Sequence, residues 1–356
     1  MKDKIDKLLF CVRMLNLSKW FTNADTDDYR KRILSRSIFL YLDAFFIFAA
    51  QIKNTFNSRD LNTKSIHKKL NAIKHEYDNY HKIIRDKLGA HRQDLDIFQV
   101  YEYWNEIDLI TLNYYITEVQ DIYNLIHALN TIDIPAYSDF SIVSSTIIPN
   151  SDYGFVVSID TLAPTRSNYI WRFQKNIDDK FNTRILQINS IIDSILYLKE
   201  MYPSDDLGID LKRLVKSILI IDVINLLDNI FTNEQSQEHQ TDSFYKIAQR
   251  INHNGYTVII RYDKERNLEK EVMIRHVRNK ICAHIDDKEP LKNLLKMLDF
   301  LPIDDICNLS NFLIKAYIES CSKDIRTQTM LLINTPLDSS VVGLKIKNTE
   351  FQKPFD

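Results

Sequence analysis

The chain has 356 residues, 46 basic and 48 acidic side chains, and a formal net charge of −2. That balance excludes a protein that holds nucleic acid by its overall charge, so any such contact must come from a local patch. The length suits about two domains, each able to bury a core of its own. Only five glycines and eight prolines occur, and the long stretches without a helix breaker predict a mainly α fold.

The opening residues, Met1 to Lys7, mix acids with bases and lack an apolar core, so they do not read as a secretory signal. The four cysteines Cys11, Cys282, Cys307 and Cys321 form no Cys-x-x-Cys pair and have no histidine at zinc-ligand spacing. Free thiols, a cytoplasmic setting and no metal site or cofactor are expected. The most apolar run, Ile38 to Ala50, is thirteen residues long and contains Asp43. It is short for a bilayer span and predicts a buried helix, with no membrane as partner.

Farther along, Ile66, Leu70, Ile73, Tyr77, Tyr80 and Ile84 follow a 4-3-4-3-4 rhythm, and Leu112, Ile116, Val119, Tyr123, Ile126 and Asn130 repeat it. Each set is one apolar stripe on a helix, so residues 1–133 predict a helical bundle. Residues 134–165 change character, with β-branched runs at Ser141 to Ile148 and Phe155 to Ile159 that predict a β-like linker. A second helical bundle is expected over 166–324, with helices near 166–200, 210–231, 267–286 and 303–322. Within it, Gly255 to Tyr262 reads as a strand insertion, and the tail 325–356 holds a β-like stretch from Met330 to Lys347.

Two heptapeptides nearly repeat each other: Arg85-Asp86-Lys87-Leu88-Gly89-Ala90-His91 and Arg278-Asn279-Lys280-Ile281-Cys282-Ala283-His284, with four of seven positions identical. Upstream of each lies an apolar segment with one embedded aspartate, Ser37 to Asp43 and Ser217 to Asp222. Asp43 stands 42 residues before Arg85 and Asp222 stands 56 before Arg278, which an ancient duplication with one insertion explains. Asp43 and Asp222 are candidates to orient the motif arginines.

The repeated Arg-(Asn/Asp)-x4-His pattern resembles the signature of the HEPN superfamily, helical-bundle domains many of which are metal-independent ribonucleases. The resemblance covers the motif helices and, more weakly, those before them. It implies that Arg85, His91, Arg278 and His284 are catalytic, with Asp86 and Asn279 supporting them. It also implies a toxin or antiviral effector, with an inhibitory or regulatory protein as a possible partner besides RNA. Two copies in one chain resemble the type VI CRISPR effectors, in which both motifs join in one polypeptide as a pseudo-dimer, and homodimers are compatible with it.

The residues alone support such chemistry. Cutting RNA without a metal needs a base, an acid and positive charge on the phosphate; two histidines with ordinary values near about 6.5 supply the first pair. Two arginines supply planar, permanently charged forks for phosphate oxygens. On a straight helix a histidine six positions after an arginine lies roughly 120° around the axis and about 9 Å along it, so one motif cannot converge on one phosphate. Two facing motifs can. Lys87, Arg92, Arg275 and Lys280 are candidates to line an RNA groove. The competing expectation is a non-catalytic bundle that binds RNA, a nucleotide or a protein.

Overall fold

A computed structural model describes residues 2–24, 28–53, 61–90, 103, 109–129, 179–202, 208–231, 243–253, 255–321, 332–334 and 343–345. The described chain is mainly helical. Its helices are α1 (Lys2–Ala24), α2 (Asp28–Lys53), α3 (Leu61–Tyr80), α4 (Leu109–Ala128), α5 (Asp179–Met201), α6 (Ile209–Ile230), α7 (Phe244–Arg250), α8 (Tyr256–Lys264), α9 (Leu268–Val277), α10 (Leu291–Phe300) and α11 (Ile303–Cys321). A single turn, Lys82–Ile84, comes after α3, and a π-helical turn continues both that turn and α9. The expected linker, 134–165, and residues 166–178 lie outside the described residues. In the tail, Leu332–Asn334 and Gly343–Lys345 pair antiparallel.

The apolar stripe of α4 is buried at Leu112, Ile116, Val119, Tyr123 and Ile126, and its sixth predicted position, Asn130, lies outside the described residues. The stripe of α3 is buried at Ile66, Leu70, Ile73 and Tyr77, but Tyr80 is 66% exposed. The reason is that α3 ends at Tyr80. His81 takes the inward place instead, with its ring stacked on Phe39 at 6.3 Å and its Nδ1 2.9 Å from the Tyr115 hydroxyl.

Two helices form the centre. α6 is buried almost along its whole length, as an apolar helix must be when it is surrounded. The Ser35–Lys53 part of α2 is apolar and long enough to cross a membrane by length and composition, and most of it is buried within the fold.

The packing order repeats along the chain. α1 pairs with α2, and α4 packs on α1, α2 and α3; α5 pairs with α6, and α11 packs on α5, α6 and α9. α2 lies against the first π-helical turn and α6 against the second. The halves are joined by α1, which packs on α6 and α10, and by a buried ion pair in which both Nη atoms of Arg36 donate to Asp222, at 3.0 and 2.9 Å.

Gly255 to Tyr262 is not a strand: it begins α8. Its β-branched residues favour a strand locally, yet Val258, Ile259 and Tyr262 are the buried positions, a helical spacing that packs on α11 with Tyr262 edge-on to Phe312. Tertiary packing overrides local propensity here. Gly255 permits the approach, since a Cβ there would meet the Ser320 carbonyl oxygen at 2.4 Å.

Candidate functional site

The site is built where the helices depart from α geometry. α9 runs into the turn Arg278–Cys282, in which the Arg278 carbonyl accepts from the Ala283 amide, five residues on, at 2.9 Å. The Lys280 carbonyl then accepts from the Asp286 amide at 2.9 Å. In the first motif the π-helical turn spans Arg85–Ala90. Such turns widen the helix and shift the phase of the residues beyond them, so the straight-helix angle between arginine and histidine does not apply. Ile281 and Cys282 bury themselves against the core, while His284 emerges exposed.

The loop bearing His284 is pinned on both sides. Asp286 Oδ1 accepts from the amides of Lys288 and Glu289, at 2.8 and 3.1 Å, and its other oxygen pairs with Lys280. The Lys280 hydrogen bond, more than these amides, holds the Asp286 carboxyl down at about 2. From α1, Lys7 donates to the Asp287 carbonyl at 3.2 Å and Asp3 accepts from the Leu291 amide at 2.7 Å. Thus the first half of the chain holds the motif loop of the second.

Arg85 joins the two motifs. Its Nη2 donates to His284 Nδ1 at 2.7 Å and to the Ala283 carbonyl at 3.1 Å, and stands 3.5 Å from Asp43 Oδ2. Its Nη1 donates to Asp86 Oδ1 at 2.6 Å. Arg278 treats its own neighbour alike, with Nη1 donating to Asn279 Oδ1 at 2.9 Å. The polar residue after each arginine therefore fixes one edge of the guanidinium. Both arginines are 5% exposed.

Desolvation and then the charges of Arg85 and Arg278 hold the His284 imidazole below its ordinary 6.5, against Asp43 and Asp86, which favour the charged form. Burial, opposed chiefly by Asp228, lowers Arg278 to about 10, which leaves it charged at neutral pH. Two arginines from different motifs thus act on one histidine. His91 and Arg92 lie outside the described residues.

Asp222 pairs with an arginine of the first half. It is fully buried and committed to Arg36 and to the Ser194 hydroxyl, which joins α2 to α5 and α6. The residue missed from the sequence is Asp228, which accepts from Arg275 Nη1 and Nη2 at 3.0 and 2.6 Å. With Arg36 matched to Asp222, the position that answers to Asp43 is Asn229, so the repeat does not single out Asp228.

Of the cations proposed for a groove, Arg275 is tied to Asp228 and Lys280 to Asp286, while Lys87 is half-buried. Among the described residues no three His, Cys, Asp or Glu side chains are grouped to hold a metal ion. Cys11, Cys282 and Cys307 are free thiols, and burial pushes Cys282 up to about 12. Compared with protein families, with curated proteins and with solved structures, the chain finds no match.

Proposed function

We propose that the chain is a metal-independent endoribonuclease, built as a HEPN-like pseudo-dimer of two helical bundles and acting in the cytoplasm as a toxin or defence effector. The observation that carries this reading is the 2.7 Å contact between Arg85 of one motif and His284 of the other. Histidine and arginine from separate heptapeptides then share one site, with Arg278 close enough to act on the same imidazole. By the repeat of the heptapeptide, His91 is the second histidine that the reaction calls for.

The reaction is an internal transfer. The 2′-oxygen bonds to phosphorus as one histidine takes its proton, and the bond from phosphorus to the 5′-oxygen breaks as the other histidine protonates that oxygen. The arginines offset charge on the phosphate. Products carry 2′,3′-cyclic phosphate and 5′-hydroxyl ends. Incubation of purified protein with single-stranded RNA in EDTA tests this: such ends are expected, with no cleavage of DNA. Loss of cutting on chelation, restored by Mg²⁺ or Mn²⁺, overturns the mechanism.

A second reading, a non-catalytic scaffold, is favoured by one observation: Arg85, Arg275 and Lys280 already pair with carboxylates of the chain itself. Under it, RNA incubated with the protein stays intact, and binding survives His284→Ala.

A further inference from the structure

A guanidinium has five N–H donors and no lone pair to accept with. The Arg85 Nη2 contact with His284 Nδ1 at 2.7 Å therefore fixes the imidazole: Nδ1 is the acceptor, and the ring proton of the neutral side chain sits on Nε2. This has a consequence for proton transfer. As a base, the ring has no vacant nitrogen, since Nε2 holds a proton and Nδ1 holds the Arg85 bond. As an acid it needs both nitrogens protonated, which sets an Nδ1–H against the Arg85 N–H. Neither role is open while the contact lasts.

From this we infer that Arg85 is a positioning residue, holding His284 as the Nε2–H form at rest and releasing it when a substrate phosphate takes over the Arg85 hydrogen bond. The release half rests on the ribonuclease reading; the resting half does not. Arg85 is suited to such an exchange. Nη1 stays on Asp86, and Nη2 keeps the Ala283 carbonyl and Asp43 when it leaves Nδ1. Its Nε is buried without a hydrogen-bond partner, so a modest shift that finds one is not opposed. The groups that act on the imidazole are Arg85 and Arg278, which disfavour its charge, and Asp43 and Asp86, which favour it. A phosphate dianion or diester beside the arginines offsets the first pair. Once released, Nδ1 can take a proton, and the imidazolium can then give one to the departing 5′-oxygen as its bond to phosphorus breaks.

The test is nitrogen-15 NMR of the full chain with labelled histidine, His284 being assigned by its loss in His284→Gln. At neutral pH the wild-type ring is expected to show an unprotonated Nδ1 and a protonated Nε2, a result that needs no variant to fold. In Arg85→Gln the preference for that form should fall and the titration midpoint should rise toward about 6.5. A wild-type ring protonated on Nδ1, or a midpoint unmoved in a folded Arg85→Gln, overturns the inference. An oligonucleotide with deoxyribose at every position, which cannot be cut by 2′-attack, is then added. Its binding should raise the His284 midpoint and release Nδ1. Binding that leaves the ring unchanged overturns the release half alone. Failure of the oligonucleotide and of single-stranded RNA to bind at all overturns the ribonuclease reading, while the resting form of His284 stands on the first measurement.

Discussion

Replacing Asp222 by alanine should be among the most damaging single changes in the molecule. Arg36 is 2% exposed and Asp222 is fully buried, and the carboxylate accepts from both Nη atoms of Arg36 and from the Ser194 hydroxyl. Removing one partner of a buried pair strands the other charge and costs about 3–5 kcal/mol. Against a total stability of roughly 5–15 kcal/mol, that is a large share. Replacing both partners, as Arg36→Met with Asp222→Leu, removes the stranded charge and should return stability to within about 2 kcal/mol of wild type or above it. Urea unfolding followed by far-UV circular dichroism reads both. Because the pair joins α2 to α6 across the two halves, the single variant should also broaden or split the transition. A loss below about 1 kcal/mol in Asp222→Ala would mean that the pair is hydrated and that its assignment as a buried tie is wrong. The double variant should still cut RNA, since Asp222 is bonded to Arg36 and Ser194; its inactivity would restore Asp222 to the site.

Other changes test separate parts. Gly255→Ala should destabilise by roughly 1–3 kcal/mol, because its Cβ would stand 2.4 Å from the Ser320 carbonyl oxygen; an unchanged urea midpoint would show that the backbones do not approach. His284 is held below 6.5 in the folded chain, so the unfolded chain binds more protons as pH drops below about 6.5. Its contribution to stability is then complete above that value and is lost as pH falls toward the folded midpoint, and His284→Gln should flatten the slope of stability against pH over that window. Arg278→Lys keeps the charge and loses the planar fork, so cleavage should fall severely with the fold intact; near-normal cutting would place the guanidinium away from the phosphate.

Helix periodicity carried the fold where a stripe was long and uninterrupted. The five buried positions of α4 were legible from spacing alone. Tyr80 was not, because α3 stops there and the inward place passes to His81, and no glycine or proline nearby announces the stop. The segment Gly255 to Tyr262 reads as a strand because β-branched residues suit one locally, whereas the partner that makes it a helix, α11, lies some 40–60 residues away in sequence. At the site, the two heptapeptides were visible as a repeat, but how Arg85 reaches His284 was not. That contact depends on π-helical turns, which leave no spacing signature. Asp228 was not legible either: no motif spacing points to it, and its partner Arg275 stands three residues before the second heptapeptide.

Mixing His91→Ala with His284→Ala tests most directly whether both motifs of one chain build a single ribonuclease site. Arg85 and His284 meet within the chain, so each variant alone should be inactive on single-stranded RNA in EDTA. The mixture, after time for subunits to exchange, should remain inactive too. Robust recovery of cleavage on mixing would show that the site joins motif one of one chain to motif two of another, and would contradict the intramolecular site.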